Sequence, residues 1–244
     1  MKESDLRCDD LIWGGYKLYQ DKQGVCFSVD AVLLACFCRV EPGQRLLDAG
    51  TGNGVLPLLL LAKEPTLRIT GLELQEEAAA LAAYNMAINE AEVKIVQGDM
   101  MKAEAIFLPE SFDGITANPP YYPKDKGRLG KNSARNMAKF ELSWDTDAFF
   151  EQCSKLLKPG GRVTTCYLFG RYSHIRAAAA KFGFWEDERV LVQSCSEKEP
   201  YLVLSSWIGG LRGRTKEGRL VLAESDGSAT LAWEKILKER AWRY

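Results

Sequence analysis

Short apolar runs alternate with longer helix-like stretches from Arg45 onward along the chain. Such alternation predicts a parallel sheet covered by helices on both faces. Seven strands are expected, over residues 45–49, 68–73, 93–97, 112–117, 162–168, 189–193 and 201–208. Helices are expected over residues 55–63, 76–89, 147–157 and 172–182. The predicted fold class is α/β, with a doubly wound, mostly parallel seven-stranded sheet.

The segments that flank this alternation predict short additions to one domain. Ser28 precedes an apolar stretch over residues 29–38 and is expected to cap a helix there. Residues 11–20 have the pattern of a hairpin, and residues 232–244 that of a terminal helix. No repeat or linker divides the chain. We therefore expect a single domain, residues 1–244, made of an N-terminal extension (1–44), a core (45–210) and a C-terminal tail and helix (211–244).

Composition and charge narrow the function classes. The 244 residues, 46% of them apolar, suffice for one core, and the net charge of −1 argues against a protein that coats nucleic acid with its whole surface. The cysteines lack Cys-x-x-Cys spacing, which favours free thiols over a metal site. His174 is the only histidine, so a Ser/His/Asp triad is disfavoured. Without an apolar run of membrane-spanning length, we expect a cytoplasmic protein with no membrane partner, monomeric and metal-free.

A glycine-rich turn follows the first predicted strand. Residues 48–54 read Asp-x-Gly-x-Gly-x-Gly and lead directly into a helix. Gly50, Gly52 and Gly54 permit positive φ angles and lack Cβ atoms, so the backbone, with Thr51 among them, can press against a cofactor at the carboxyl edge of the sheet. The spacing differs from the Gly-x-Gly-x-x-Gly of dinucleotide folds. It suits S-adenosylmethionine, which has no pyrophosphate to place on the helix N-terminus.

Acidic residues stand near the ends of three successive predicted strands. Asp48 suits the cationic amino end of that cofactor, directly or through water. Glu73, about 20 residues on, is placed to accept hydrogen bonds from both ribose hydroxyls. Asp99 follows the third strand, where it can meet the adenine amine. Leu74 and Met100 beside them complete this part of the predicted cofactor set. A tight strand-to-helix junction alone would explain the glycines but not the carboxylates.

The fourth predicted strand runs into Asn118-Pro119-Pro120-Tyr121. Two consecutive prolines hold Asn118 extended and give the Pro119 carbonyl a defined direction. An adenine or amide nitrogen is a poor nucleophile because its lone pair is delocalised. The Asn118 side-chain oxygen and the Pro119 carbonyl can hold its N–H groups and redirect that lone pair toward a sulfonium methyl, so Asn118 also borders the cofactor. Tyr121 would stack on the planar substrate group. Without the other motifs, the tetrapeptide would be interpreted as a stiff turn.

These motifs together carry a family resemblance. Residues 48–54, Glu73, Asp99 and residues 118–121 resemble the class I amino-methyltransferases, which modify adenine N6, guanine N2 or glutamine N5. The N-terminal run from Gln20 to Ala35 is similar to that of the bacterial tRNA(Val) adenine-N6 methyltransferases. The chain thus resembles enzymes that methylate a planar amine.

The narrower resemblance spans most of residues 11–210. It implies a Rossmann-like fold, S-adenosyl-L-methionine as the cofactor and an N-terminal extension that closes over it, with Phe27, Ser28 and Asp30 near the methionine end. Capping and packing a helix would explain these three residues equally well. The family often carries Ala-Arg-His-Glu after the catalytic loop, whereas residues 134–137 here read Ala-Arg-Asn-Met, so the substrate is less firmly implied than the chemistry.

A basic segment follows the tetrapeptide. Asp125 is the single acid between residues 122 and 139, against the basic residues Lys124, Lys126, Arg128, Lys131, Arg135 and Lys139. They are predicted to hold RNA phosphates that flank a flipped-out adenine, with a solvated loop as the alternative. The sequence therefore predicts methylation of an adenine N6 amine in RNA, with tRNA as the expected partner. Protein glutamine N5 methylation and guanine-N2 methylation of RNA are the alternatives, and adenine in DNA stays open.

Overall fold

The structure is a computed structural model that describes residues 5–22, 28–119, 144–210 and 213–242. Its strands are β1 (Leu6–Asp10), β2 (Lys17–Asp21), β3 (Arg45–Ala49), β4 (Arg68–Glu73), β5 (Lys94–Gln97), β6 (Phe112–Ala117), β7 (Leu157–Leu168), β8 (Phe184–Cys195), β9 (Leu202–Gly209) and β10 (Lys216–Ala223). Its α-helices are α1 (Val29–Phe37), α2 (Val55–Lys63), α3 (Glu76–Ile88), α4 (Thr146–Leu156), α5 (Tyr172–Lys181) and α6 (Leu231–Glu239). Short 3-10 helices cover Met100–Ala105 and Phe169–Arg171.

Eight strands form one sheet in the order β10-β8-β9-β7-β6-β3-β4-β5, and β1 and β2 form a separate hairpin. β9 runs antiparallel to both neighbours, whereas every other neighbouring pair in the sheet is parallel. The predicted doubly wound α/β fold is confirmed. Because parallel strands share one direction, the carboxyl ends of β3, β4, β5 and β6 lie at one edge of the sheet.

The sheet has one strand more than predicted. β10 lies within residues 211–244, which were expected to form a tail and a helix, and it pairs in parallel with β8. As the outermost strand it fully buries only Leu220. Its sequence therefore lacks the continuous apolar run that marks a strand covered on both faces, and the prediction of seven strands was wrong at this edge.

The N-terminal hairpin begins earlier than predicted. β1 and β2 pair over their full lengths, so residues 11–16 form the connection between the strands. Leu6 is the buried residue of β1, whose other side chains are charged or exposed, and Leu18 is fully buried in β2. A strand with so few apolar residues gives a weak sequence signal, which is why the prediction of a hairpin over residues 11–20 missed its first strand.

Apolar side chains cover the two faces of the sheet in separate clusters. On one face α1 and α2 pack with the hairpin, and Leu34 and Leu58 are fully buried there. On the other face α4 and α5 contribute to the second cluster, in which Phe149 and Trp207 are buried. None of the helices in the described ranges combines the length and the apolar character needed to cross a bilayer.

Side chains fix both ends of α1. Ser28 Oγ accepts a hydrogen bond from the Asp30 N–H at 3.3 Å, which confirms the predicted N-cap. At the other end, the Lys63 ammonium donates at 3.1, 3.2 and 2.6 Å to three carbonyl oxygens, those of Ala35, Cys36 and Cys38. Carbonyls at a helix C-terminus run out of intrahelical partners, and a cation there also complements the helix dipole. The end of α2 thus anchors α1.

The C-terminal helix returns to the beginning of the chain. The Trp13 Nε1–H, in the hairpin connection, donates to the Leu237 carbonyl of α6 at 3.1 Å. Arg240, just after α6, donates to the Ala62 carbonyl in α2 at 2.6 Å. The last described helix therefore holds both the N-terminal hairpin and the helix that follows the glycine-rich turn.

Candidate active site

Strand register brings the predicted site residues to one edge of the sheet. β3 and β6 pair up to Ala49↔Ala117, and β4 and β5 pair up to Glu73↔Gln97. The residues at and just beyond these positions therefore emerge side by side at the carboxyl edge. They include the glycine-rich turn, Glu73, Asp99, Asn118 and Pro119.

The glycine-rich turn adopts the backbone conformation that its glycines allow. Gly50, Gly52 and Gly54 have φ angles of 74°, 57° and 83°. A Cβ on Gly54 would lie 2.6 Å from Met86 Cε in α3, whereas a Cβ on Gly52 would meet no described atom within 4 Å. At Gly52 it is thus the positive φ that favours glycine, and no described residue fills the space next to it.

Asp48 is a buried carboxylate under this turn. It is 2% exposed, and its two oxygens accept hydrogen bonds from Thr51 Oγ1 at 2.7 Å and Thr116 Oγ1 at 2.8 Å. Burial raises its pKa from 3.8 to about 6, against the effect of these two hydrogen bonds and with a smaller contribution from the negative charge of Glu73. A cation beside Asp48 would therefore lower this pKa and favour the ionised carboxylate.

Glu73 ends β4 and holds the turn from the other side. Its side chain accepts hydrogen bonds from the Gly52 N–H at 2.9 Å and the Gln75 N–H at 3.0 Å, and the residue is 1% exposed. Burial raises its pKa more than these backbone hydrogen bonds lower it. A carboxylate has about four acceptor sites, so the backbone N–H groups of Gly52, Gln75 and Leu74 leave Glu73 capacity for a further donor such as a hydroxyl.

Asp99 begins the 3-10 helix after β5. Its Oδ1 accepts a hydrogen bond from the Met101 N–H at 2.9 Å, so the carboxylate acts as an N-cap, and it is half-buried. Met100 beside it is buried, whereas Leu74, after β4, is 43% exposed. The three predicted residues thus stand at the same edge, with Leu74 the most open to solvent.

The start of the tetrapeptide lies where the sequence predicts it. Asn118 follows the last residue of β6 and is half-buried, and Pro119 is buried. The remaining predicted residues fall outside the described ranges: Phe27, Pro120, Tyr121 and the basic residues Lys124, Lys126, Arg128, Lys131, Arg135 and Lys139.

The start of α1 stands at the same edge of the sheet. The Phe169 N–H, just beyond β7, donates to the Tyr201 carbonyl at 2.9 Å. The negative charge of Asp30 contributes to raising the pKa of Tyr201, after the larger effect of burial, so Asp30 is near this corner. Burial also raises the pKa of Asp30 itself. Ser28 caps α1, as the alternative explanation for this residue predicted. A contact between Ser28 and the cofactor stays a prediction.

One residue that borders the turn was not predicted from the sequence. A Cβ on Gly50 would lie 3.6 Å from the indole of Trp144, which makes Trp144 the nearest described side chain there. Its Nε1–H donates to Tyr167 Oη at 2.6 Å, which fixes the ring. Trp144 directly precedes Asp145, the N-cap of α4, and that helix start is the only local signal that could have drawn attention to it.

The residues at this edge fit a cationic nucleoside. Among the described residues, no lysine or arginine forms an ion pair with Asp48 or Glu73. Within the same ranges no group of three or more His, Cys, Asp or Glu side chains is arranged to hold a metal ion. Two buried carboxylates and an open backbone turn complement a positively charged amino group and a ribose.

The fold and this edge define a class I methyltransferase, whose cofactor is S-adenosylmethionine. Residues 28–168 match the methyltransferase small domain family, and the chain belongs to that family.

Curated relatives match over most of their length. A tRNA1(Val) (adenine(37)-N6)-methyltransferase of Porphyromonas gingivalis is 30% identical over 198 residues, covering 77% of this chain and 76% of the relative. One of Vibrio vulnificus is 26% identical over 242 residues, covering 98% of each.

Solved structures share the fold. A predicted O-methyltransferase, Atu636 from Agrobacterium tumefaciens, superimposes with a TM-score of 0.69 at 23% identity, covering 88% of this chain and 98% of that one. A methyltransferase from Pyrococcus furiosus gives a TM-score of 0.60 at 19% identity, covering 81% of this chain and 90% of that one. At these identities the likeness concerns architecture alone.

Proposed function

We propose that this protein transfers the methyl group of S-adenosylmethionine to the exocyclic N6 amine of an adenine in tRNA. The observation that carries the proposal is the register of β6 against β3, because it sets Asn118 and Pro119 beside the glycine-rich turn. The substrate class is supported by the names of the relatives, which specify adenine 37 of tRNA1(Val). An adenine of that tRNA is the substrate to test first.

In this proposal the carboxyl edge holds the cofactor. Asp48 takes its amino group, directly or through water, and Glu73 takes its ribose hydroxyls. Asp99 accepts from its adenine amine. The other proposed contacts come from the turn, from residues beside the carboxylates and from the N-terminal extension of the single domain: Gly50, Thr51, Gly52, Gly54, Leu74, Met100, Phe27, Ser28 and Asp30.

The proposed mechanism uses positioned acceptors rather than a general base. The cofactor supplies the electrophile, a sulfonium methyl whose carbon–sulfur electron pair stays on sulfur as the nitrogen–carbon bond forms. The Asn118 side-chain oxygen and the Pro119 carbonyl accept the two N–H groups of the adenine amine and turn its lone pair toward that methyl. Once the nitrogen is alkylated its proton is acidic, and it leaves along the same acceptors to solvent.

We also propose that the basic residues between Lys124 and Lys139 bind the tRNA backbone. Six cations against one acid form a concentrated positive segment on a chain of net charge −1, and the segment directly follows the tetrapeptide. Phosphates on either side of a flipped adenine would be held there while the base enters the site, with Tyr121 stacked on it.

The test is transfer of labelled methyl to tRNA from cells that lack this enzyme, followed by nucleoside digestion and mass spectrometry. N6-methyladenosine should form with the wild type and with Asn89→Ala, which removes a carboxamide whose contacts are with Lys17 and Asn85. Asn118→Ala should lower turnover by roughly 1,000-fold and leave cofactor affinity within about threefold, because the lost acceptor acts mainly in the transition state. Label found in protein glutamine or in guanine N2 would overturn the proposed substrate.

A further inference from the structure

Two asparagine side chains of α3 and its C-cap hold the backbone of β2. Asn85 Oδ1 accepts from the Tyr19 N–H at 2.8 Å, and its Nδ2 donates to the Tyr19 carbonyl at 2.9 Å. One helical turn later, Asn89 repeats the arrangement on Lys17, at 2.8 and 2.7 Å. Each carboxamide gives one acceptor and one donor to a single residue of the strand, as a neighbouring strand would. The hairpin is thereby seated on α3.

The two asparagines differ in their second N–H. That of Asn85 donates to the Asn53 carbonyl at 2.9 Å, inside the glycine-rich turn, whereas that of Asn89 donates to the Asn85 carbonyl at 2.7 Å. Asn85 is 0% exposed, and its oxygen and both of its N–H groups are engaged. Its carboxamide cannot rotate without losing hydrogen bonds to half-buried backbone groups of both the hairpin and the turn.

The carbonyl that Asn85 holds belongs to Asn53, which lies between two glycines of the turn. Asn53 is flanked by Gly52, whose N–H is bound by Glu73 at 2.9 Å, and by Gly54, against which Met86 of α3 packs. Glycines on both sides leave this stretch of backbone free to change conformation unless outside contacts restrain it. Glu73 restrains the Gly52 N–H and Asn85 the Asn53 carbonyl. Hydrogen bonds from the Gly50 and Thr51 N–H groups to the Leu72 carbonyl hold the earlier part of the turn, and the Gly54 N–H donates to the Thr51 carbonyl.

We propose that Asn85 is a positioning residue for the cofactor, one that couples seating of the N-terminal hairpin to the shape of the glycine-rich turn. When β2 occupies the Asn85 carboxamide, the side chain is held in the orientation that fixes the Asn53 carbonyl, and the turn is preorganised for S-adenosylmethionine. Because such coupling is reciprocal, cofactor binding also stabilises the seated hairpin. The inference rests on the cofactor and not on the proposed RNA substrate.

The test compares Asn85→Asp with Asn89→Asp by calorimetric titration of the purified full chain with S-adenosylmethionine. Each variant keeps the size of the side chain and an acceptor for β2 but loses both N–H donors. We expect both to lower the melting temperature, because both loosen the hairpin. Asn85→Asp should weaken cofactor binding at least tenfold, whereas Asn89→Asp should change it less than threefold. Equal cofactor affinity in the two variants would overturn the proposal, because a purely structural role affects both alike.

A second measurement needs no variant. Hydrogen exchange of the wild type, followed residue by residue with and without S-adenosylhomocysteine, should show the Lys17 and Tyr19 amides protected at least fivefold by the ligand. The Leu220 amide in β10, at the far edge of the sheet, serves as the reference and should be unaffected. Hairpin amides that exchange at the same rate with and without the ligand would refute the coupling even if Asn85→Asp fails to fold.

Discussion

Two regions of the sheet each bury a pair of carboxylates, and they treat the charge in opposite ways. In β8, Glu186 is 5% exposed and faces Arg189 at 3.2 Å, and Glu188 is 2% exposed and forms an ion pair with Arg39. At the carboxyl edge, Asp48 and Glu73 are equally buried, yet in the described ranges they meet only hydroxyls and backbone N–H groups.

This difference distinguishes carboxylates with a structural role from carboxylates that are available to bind a ligand. A buried anion is costly unless a cation compensates for it, and the two carboxylates of β8 are compensated by Arg189 in the same strand and by Arg39 just after α1. At the carboxyl edge no described lysine or arginine compensates for the buried charge, so a bound cationic ligand would have to do so. The raised pKa of Asp48 reflects the free-energy cost of burying its charge. The buried carboxylates without a described protein cation therefore support the proposed cofactor pocket, since perturbed acids in clefts often mark functional sites.

The largest expected effect tests the compensated pair. Arg189→Met leaves Glu186 buried without its cation, and we expect the free energy of unfolding to fall by about 3 kcal/mol. Urea unfolding followed by circular dichroism measures it, with Arg68→Met as the control, since exposed Arg68 forms none of the ion pairs found among the described residues. A loss below about 1 kcal/mol would mean that Tyr172 and Ser205, which also bind Glu186, suffice without a cation.

The next effect concerns the uncompensated pair. Glu73→Gln removes a charged acceptor from the proposed ribose contact, so cofactor affinity should drop roughly 100-fold. Glu186→Gln makes the same chemical change in β8 and should leave the affinity within about threefold. Calorimetric titration with S-adenosylmethionine compares the two, and comparable losses in both would remove Glu73 from the cofactor site.

The same exchange at Asp48 should stabilise the protein without cofactor. Its folded-state pKa of about 6 exceeds its ordinary value of 3.8, so the folded chain takes up a proton and loses stability as the pH rises through this interval. At pH 7.5 this loss of stability is complete. Asp48→Asn should therefore raise the free energy of unfolding by about 2 kcal/mol while weakening cofactor binding about tenfold. Urea unfolding at that pH checks it. Glu186→Gln should lower the free energy of unfolding under the same conditions. A lower free energy of unfolding for Asp48→Asn would contradict the view that the charge of Asp48, unlike that of Glu186, is uncompensated.

The smallest effect is a pH dependence of binding. A cationic amino group binds the ionised form of Asp48, whose pKa is about 6 without ligand. The dissociation constant of S-adenosylmethionine should therefore rise about tenfold from pH 7 to pH 5. Asp48→Asn should have a flatter profile over this range, as titrations at several pH values would reveal. A wild-type profile as flat as that of the variant would show that Asp48 does not meet the amino group.

The elements that position the site were predictable because their signals are local. β3, β4, β6 and α2 have the predicted bounds, since each contains apolar residues and ends close to a glycine, a proline or an acid. The seven-strand count failed at β10, whose place depends on pairing with β8 rather than on its own apolar content. Edge strands draw their stability from a neighbour that the local sequence does not reveal.

The carboxylates of the candidate site could be predicted from the sequence, whereas the residues that hold the surrounding backbone and side chains in place could not. Asp48 and Glu73 follow from their places at strand ends, which topology brings together. Asn85 and Trp144 act across distances that no local motif encodes. On α3, Asn85 gives no more sign of a contact with Asn53 than any other polar residue of a helix, because that contact exists only once the hairpin and the turn are both folded.

The hydrogen bond from Trp13 to Leu237 joins residues 224 positions apart. During synthesis the hairpin connection leaves the ribosome long before its acceptor in α6 is made, so this hydrogen bond cannot form until α6 has emerged. A nascent chain stalled before α6 would therefore carry its glycine-rich turn without the hydrogen bond that joins the hairpin connection to α6.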